Sequence, residues 1–363
     1  MWNRTKATEL LQIKYPIIQG PFGGKFSSVK LVATVSNAGG MGSFGLNAYD
    51  AAEIVEIARE IKKLTSKPYA LNLWVPLKED PIDSFDELAF EKVKKTFKPY
   101  FDRVGLPLPK MPDTKTGDFD QQVEAVLKSN PPVASFIFGI PAREIISEFK
   151  KQGIVTMATA TTVEEAHRIE EAAIDIVIAS GQEAGGHRAS FLKPAEESLH
   201  PTSSLIPQVV NTVHIPIIAA GGISNGLDIA RVLKMGASAA QLGTAFLATN
   251  ESAASHIHKS KLLAREPIKT DLTKVYTGRL ARAISNKLSD DFKRSSNESI
   301  APYPIQSNFL STLMKNAHDR QDYDYVAFWS GQPSTLLTHQ SASELFDSLK
   351  NDVTETLGHE AKT

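Results

Sequence analysis

His187 is the side chain whose type and setting most readily do chemistry. It closes the run Glu183-Ala184-Gly185-Gly186-His187, just beyond an apolar stretch (174–180) that reads as a strand. An imidazole placed there can exchange a proton near neutral pH, and two glycines give it adaptable backbone close to a ligand. A lone histidine is more often structural or solvated, and His167, His256, His258 and His318 are read that way; His187 differs by location. Two other runs suit an anion. Ala219-Ala220-Gly221-Gly222-Ile223 and Gln241-Leu242-Gly243-Thr244 each follow a strand-like segment. Gly-Gly lets backbone N–H groups approach a phosphate, and the Thr244 hydroxyl can add a hydrogen bond. Either motif alone would serve equally as a tight turn. Together they occupy the two positions where barrel enzymes seat phosphate, after strands seven and eight, which favours a phosphate site.

Some readings are set aside by what the chemistry would need. Gly40-Met41-Gly42-Ser43-Phe44-Gly45 has the spacing of a dinucleotide-binding turn, but a helix precedes it and the glycines themselves form the strand. It is read as a glycine-rich barrel strand packed against something flat, not as a Rossmann turn. There are no cysteines, hence no thiolate ligand, disulfide or cysteine nucleophile. No H-E-x-x-H zinc motif occurs, so no bound metal is expected, and no G-x-S-x-G nucleophile elbow occurs either. Arg188, Tyr303 and Lys315 are candidate anion contacts, against the plainer reading of each as an ordinary surface or core residue.

These residues must be held by a scaffold, and the chain shows its rhythm. Eight short apolar or β-branched runs end in Gly, Asn, Ser or Pro, at 16–20, 40–45, 69–75, 133–139, 154–160, 174–180, 215–222 and 239–245. Helical periodicity recurs at 27–38, 50–64, 142–152, 162–172 and 225–235, with Thr162 and Glu165 in capping-box spacing. Eight βα units predict a (β/α)₈ TIM barrel, since open doubly wound sheets usually stop at about five or six strands. Two stretches break the rhythm: 76–132, with a charged helical piece at 85–97 and a Pro-rich passage, and 250–329, which is polar and helical. Loops after barrel strands lie on the active-site face, so the expectation is a barrel of 1–75, 133–249 and 330–363 under a mostly helical cap of 76–132 and 250–329. A decorative surface subdomain is the alternative.

Composition narrows the partners. Among 363 residues, 40 basic side chains oppose 41 acidic ones, with no basic patch interleaved with aromatics, so no nucleic acid is expected. No signal-peptide core and no run approaching a membrane span is seen, so the expected location is the cytosol, with no membrane partner. Small molecules are the expected partners, for a monomer or a homodimer.

Taken in order, Pro16-Ile17-Ile18-Gln19-Gly20-Pro21, Ser36-Asn37-Ala38-Gly39-Gly40-Met41-Gly42, Glu183-Ala184-Gly185-Gly186-His187, Ala219-Ala220-Gly221-Gly222-Ile223 and Gln241-Leu242-Gly243-Thr244 resemble the nitronate monooxygenase family, formerly 2-nitropropane dioxygenases. The likeness runs from about residue 13 to 332. Tyr276-Thr277-Gly278-Arg279-Leu280-Ala281-Arg282 and Trp329-Ser330-Gly331-Gln332 resemble its later motifs. The resemblance implies an FMN-bound barrel oxidising alkyl nitronates, such as propionate 3-nitronate, with O₂ to a carbonyl compound and nitrite, as a detoxification. Carried over by position, it implies FMN contacts at Gly20, Pro21 and Phe22, at Asn72, Ser180, Gly185 and Gly186, at Gly221 and Gly222, and at Gln241, Leu242, Gly243 and Thr244. His187 would hold the anionic nitronate and act as base toward a neutral nitroalkane. This chain departs from many relatives in carrying Ser180 where they have Gln, and Phe22 where they have Met.

Three rivals remain. A flavin-dependent enoyl-acyl-carrier-protein reductase would share the fold and the Gly-Gly-His motif but consume NAD(P)H; the Glu183–Arg188 form and the Tyr276–Arg282 motif favour the monooxygenase. An IMP-dehydrogenase-like barrel needs a cysteine that the chain lacks. A flavin-binding protein without turnover would hold a flavin that nitronate cannot reduce.

Overall fold

The structure, a computed structural model, describes residues 1–77, 84–112, 117–293 and 300–360. Parts of the expected cap (78–83, 113–116 and 294–299) and the barrel's last residues (361–363) lie outside the described residues.

All eight predicted strands form, as one parallel sheet curled into a TIM barrel. In chain order they are Ile17–Gln19, Gly42–Gly45, Tyr69–Trp74, Val133–Ile137, Val155–Ala160, Ile176–Ser180, Ile217–Ala220 and Ala239–Leu242. Each pairs with its sequence neighbour, and the first pairs with the eighth through Ile17↔Ala240 and Ile18↔Gln241. The first and second strands close the circle by a single bridge, where Met41 N–H donates to Ile17 O (3.1 Å) and Gln19 N–H to Met41 O (2.9 Å). The strands are shorter than their apolar runs because the ends turn into loops: the run 239–245 stops at Leu242, and Thr244 opens a short helix, Thr244–Leu247.

The predicted helices form as Val29–Asn37, Ala51–Leu64, Arg143–Lys151, Val163–Glu171 and Gly226–Lys234. Their caps show why they start where they do. Asp50 and Glu53 make a full capping box at the first residue of Ala51–Leu64. At Thr162 only half of the expected box forms. Its side chain accepts from Glu165 N, but the buried Glu165 carboxylate turns away to accept from Thr161 N (2.6 Å), Phe191 N (2.6 Å) and Leu192 N (3.1 Å). It thereby ties the end of strand five to the segment following His187. The helical piece at 85–97 extends to Glu87–Val104, through an internal Pro99.

Two elements absent from the periodicity reading complete the barrel. Helix Lys6–Leu11 plugs its base, burying Ala7 and Leu11 with Ile18, Met157, Ile178 and Ile218 of the strands. Helix Ala342–Glu360 packs on Gly226–Lys234 and fills the outer ring after strand eight. Helix Phe119–Ser129, expected within the insertion, packs on Ala51–Leu64 and buries Val123 and Val126 in the barrel's main core.

A separate aromatic core joins the two insertions. Phe90, Phe97 and Phe101 of helix Glu87–Val104 meet Phe292 and Phe309, with Phe97 and Phe292 stacked at 4.7 Å. The second insertion is not helical throughout: Thr270–Thr273 and Ala281–Ile284 form an antiparallel sheet whose third strand is Gly186–His187. Among the described residues, no helix is long and apolar enough to cross a membrane.

The glycines of strand two are spacers between backbones. A Cβ on Gly42 would overlap the Val32 backbone of helix Val29–Asn37, and one on Gly45 the Phe22 carbonyl. Gly42→Ala should therefore cost about 1–3 kcal/mol through overpacking. The check is a urea denaturation midpoint, and an unchanged midpoint would mean the helix can move aside freely.

Candidate functional site

The C-terminal ends of the strands open into a cavity of about 790 Å³. It lies at the barrel face where (β/α)₈ enzymes do their chemistry, and its size is that of a cofactor pocket. Its wall after strand one is Gly20, Pro21 and Phe22; Asn72, Ser180, Gly221, Gly222, Gln241, Gly243 and Thr244 also border it. Gly185, Gly186 and His187 come from the strand-six loop. Leu242 does not border the cavity: its side chain is fully buried in the main core, and its carbonyl accepts from Gly20 N at 2.9 Å.

Gly221 and Gly222 adopt φ of +107° and +72°, a left-handed path that a side chain would strain. Gly185 is needed for a different reason. A Cβ there would overlap Gly331 N, because the strand-six loop is clamped against 330–332. Gln332 N donates to Glu183 O (2.9 Å), and Gly331 N to Thr244 Oγ1 (2.8 Å). Residues 330–332 thus join the loops of strands six and eight over the cavity.

His187 is not carried on adaptable backbone, as its sequence setting suggested. It is a strand residue, paired with Ala281, and Arg188 N donates to Leu280 O at 2.9 Å. Its Nε2 lies 2.9 Å from Thr277 Oγ1. Trp74 (5.5 Å between ring centroids), Phe138 (6.2 Å), Tyr303 (6.2 Å) and Trp329 (5.6 Å) surround the ring. Burial, and secondarily the positive charge of Arg279, push the His187 imidazole down to about 3. The Arg279 guanidinium lies over the rings of Phe138 (4.5 Å) and Tyr303 (4.3 Å), so a cation is held beside the cavity without bordering it. Phe138 sits at φ +68°, an uncommon conformation for a bulky residue.

The three candidate anion contacts separate. Arg188 is 3% exposed and does not border the cavity; its guanidinium donates to Gly181 O (2.5 Å) and Ser180 O (3.0 Å), so it clamps the end of strand six. Tyr303 and Lys315 do border it, with Lys315 paired to Asp319 at 2.8 Å. His258 is structural: Nε2 lies 2.8 Å from Trp329 O, and burial pushes it down to about 4.

Trp74, Phe138 and Asn47 were not singled out in the sequence, and Thr277 and Trp329 entered only as members of the later motifs, without a role of their own. Trp74 and Phe138 could have been flagged, since they sit at the ends of strands three and four. The others reach the cavity through loops that no periodicity describes. Asn47 Oδ1 and Gln241 Oε1 are buried without a hydrogen-bond partner, and both residues border the cavity. Among the described residues, no group of three or more His, Cys, Asp or Glu side chains could hold a metal ion.

A family model described as nitronate monooxygenase matches residues 4–352. A probable nitronate monooxygenase of Staphylococcus aureus (strain Newman) is 35% identical over 358 residues, covering 98% of this chain and 99% of its own. A nitroalkane oxidase structure from Streptomyces ansochromogenes matches with a TM-score of 0.87 at 34% identity, covering 98% of this chain and 99% of that one. FabK from Thermotoga maritima matches at 0.76 and 25% identity, with 99% of each chain covered.

Two outcomes follow from this geometry. His187 and His258 stay neutral in the folded chain, while unfolded histidines bind protons below their ordinary value of 6.5. Their contribution to stability is therefore full above pH 6.5 and is lost as pH falls towards 3 to 4. Denaturation midpoints at about pH 7.5 and about pH 5.5, roughly one unit either side of this value, should show a smaller drop in His187→Asn than in the parent; equal drops would place the proton elsewhere. Gly185→Ala should unseat the loop from 330–332 and weaken flavin retention at least about tenfold, an estimate from the clash of a rigid Cβ with backbone. Flavin absorbance retained on gel filtration reads this directly.

Proposed function

The chain belongs to the nitronate monooxygenase family, whose members are flavin-dependent oxidoreductases, and we propose that its cofactor is FMN and its reaction the oxidation of alkyl nitronates such as propionate 3-nitronate by O₂. The products would be a carbonyl compound and nitrite, and the role detoxification in the cytosol. The observation that carries this reading is a neutral imidazole, His187, enclosed by four aromatic rings in the same cavity as the glycine-rich phosphate loops.

The residues present fit FMN. Gln241 Oε1 is a buried acceptor without a partner on the cavity wall, and an amide suits a ring edge that both donates and accepts hydrogen bonds. A Cβ at Gly185, Gly221 or Gly222 would meet neighbouring protein, so these glycines let the loops bordering the cavity pack closely on one another. Gly20, Pro21, Phe22, Asn72, Ser180, Gly185 and Gly186 would hold the ring system; Gly221, Gly222, Gly243 and Thr244 would serve the phosphate end. FMN, when bound, supplies the electron transfer and the reaction with O₂.

The chain's own residues orient substrate and manage one proton. Trp74, Phe138, Tyr303 and Trp329 exclude water around His187, which strengthens every electrostatic interaction there. Toward a neutral nitroalkane, the uncharged imidazole is competent as a base. Toward a nitronate, the substrate's negative charge raises the imidazole's proton affinity, and the resulting cation pairs with the anion. The aromatic core joining helix Glu87–Val104 to 275–328 would act as the cap, since it carries Tyr303 and Lys315 to the cavity rim.

Anaerobic mixing with propionate 3-nitronate should bleach the flavin, and air should restore it as nitrite appears. Bleaching by NADH or NADPH alone would move the assignment to the enoyl reductase, and a flavin reduced by neither to a binding protein. His187→Asn should keep flavin bound yet lose about 10²–10⁴-fold in turnover of neutral nitroalkane, the usual worth of a general base; unchanged turnover would remove His187 from the mechanism.

A further inference from the structure

The segment Tyr276–Arg282 meets His187 at two points and is itself held by a third contact. Ala281 pairs with the His187 backbone. Gly278, at φ +88°, packs so closely on 301–303 that a Cβ would overlap the Ala301 carbonyl. Thr277 Oγ1 lies 2.9 Å from His187 Nε2. Among the described residues that is the ring's sole hydrogen bond, so Nδ1 is left without a protein partner in a side chain that borders the cavity.

A hydroxyl has one proton to give. Thr277 Oγ1 is directed at the Arg279 carbonyl oxygen (3.2 Å), which can only accept, and it receives from Arg279 N at 3.4 Å. Thr277 is buried, with 7% of its surface exposed, so water does not readily take over these bonds. With its proton on Arg279 O, the oxygen has only a lone pair to offer Nε2. Nε2 must then carry the hydrogen.

We propose that Thr277 is a positioning residue that fixes His187 in its Nε2–H tautomer, making Nδ1 the atom that takes the substrate proton. The base role rests on the nitroalkane and nitronate reading above; the tautomer does not. In the step, the nitroalkane's Cα–H bond breaks and its proton moves to Nδ1. The bonding electron pair stays on the substrate as the C=N bond of the nitronate, with negative charge on the two nitro oxygens. The ring becomes an imidazolium whose Nδ1–H faces the anion just formed, and Nε2–H continues to donate to Thr277. A nitronate supplied ready-made skips the proton abstraction.

The test pairs a direct readout with a kinetic one. In ¹⁵N-histidine-labelled holoprotein at neutral pH, His187, assigned by its loss in His187→Asn, should show a protonated, pyrrole-type Nε2 and an unprotonated Nδ1. The reverse pattern would overturn the proposal whether or not the protein oxidises nitronates. Thr277→Val keeps the shape and removes the bond. It should lower kcat/KM for neutral nitroethane by about 10- to 100-fold, part of a general base's usual contribution, and change that for ethyl nitronate by less than about threefold. Thr277→Ser, which keeps the hydroxyl, should restore nitroethane turnover and the Nε2–H pattern. Equal losses on both substrates in Thr277→Val, with no rescue by Ser, would reduce Thr277 to a packing role. An unchanged nitroethane rate would also overturn the proposal. A wild type inactive on both substrates, but with the Nε2–H pattern, would sink the functional reading and leave the tautomer assignment standing.

Discussion

The pairing of Gly186–His187 with Ala281–Arg282 is the constraint on which the site depends. Loops beyond barrel strands are free to wander unless something outside the barrel holds them. Here a loop from strand six becomes the third strand of a sheet built by the insertion after strand eight. Arg282 Nε donates to Gln182 O at 2.9 Å, and Arg188 holds the carbonyls of Ser180 and Gly181. Two buried guanidiniums thus satisfy carbonyls that the loop's turn would otherwise leave without partners.

The chemistry of His187 follows from that placement. An imidazole seated among Trp74, Phe138, Tyr303 and Trp329 loses hydration, and a cation in a water-poor setting is costly unless paired. Arg279, held over Phe138 and Tyr303, adds like-charge repulsion. Both effects keep the ring neutral until an anion arrives. On the nitronate reading proposed above, substrate binding and proton uptake would in this way be coupled by electrostatics, with no moving part required.

Much of this was legible in the residues. The eight strands could be counted because parallel strands buried on both faces read as short apolar runs bounded by turn formers. The glycines at 221–222 and the 241–244 run, singled out because the chemistry of an anion cradle restricts residue type, all border the cavity except Leu242. Leu242 was misjudged because a motif names contiguous residues, whereas alternate residues of a strand face opposite sides. Arg188 followed the same logic: next to His187 in sequence, it points the other way. The capping box at Thr162 half failed because Glu165 found better partners 26 residues away, at Phe191, than its own helix offered.

The barrel, the family and His187 as the candidate for chemistry could be read from the residues alone, because strand count, glycine-dependent backbone paths and a motif in fixed order are local properties of the chain. What surrounds that histidine came from the folded chain: it is a paired strand residue, neutral, ringed by aromatics from four different segments and bonded to Thr277, 90 positions away. Burial, tautomer and proton affinity are set by neighbours in space, and although helical stretches of the insertions could be read, no local pattern shows how the insertions pack to bring those neighbours together.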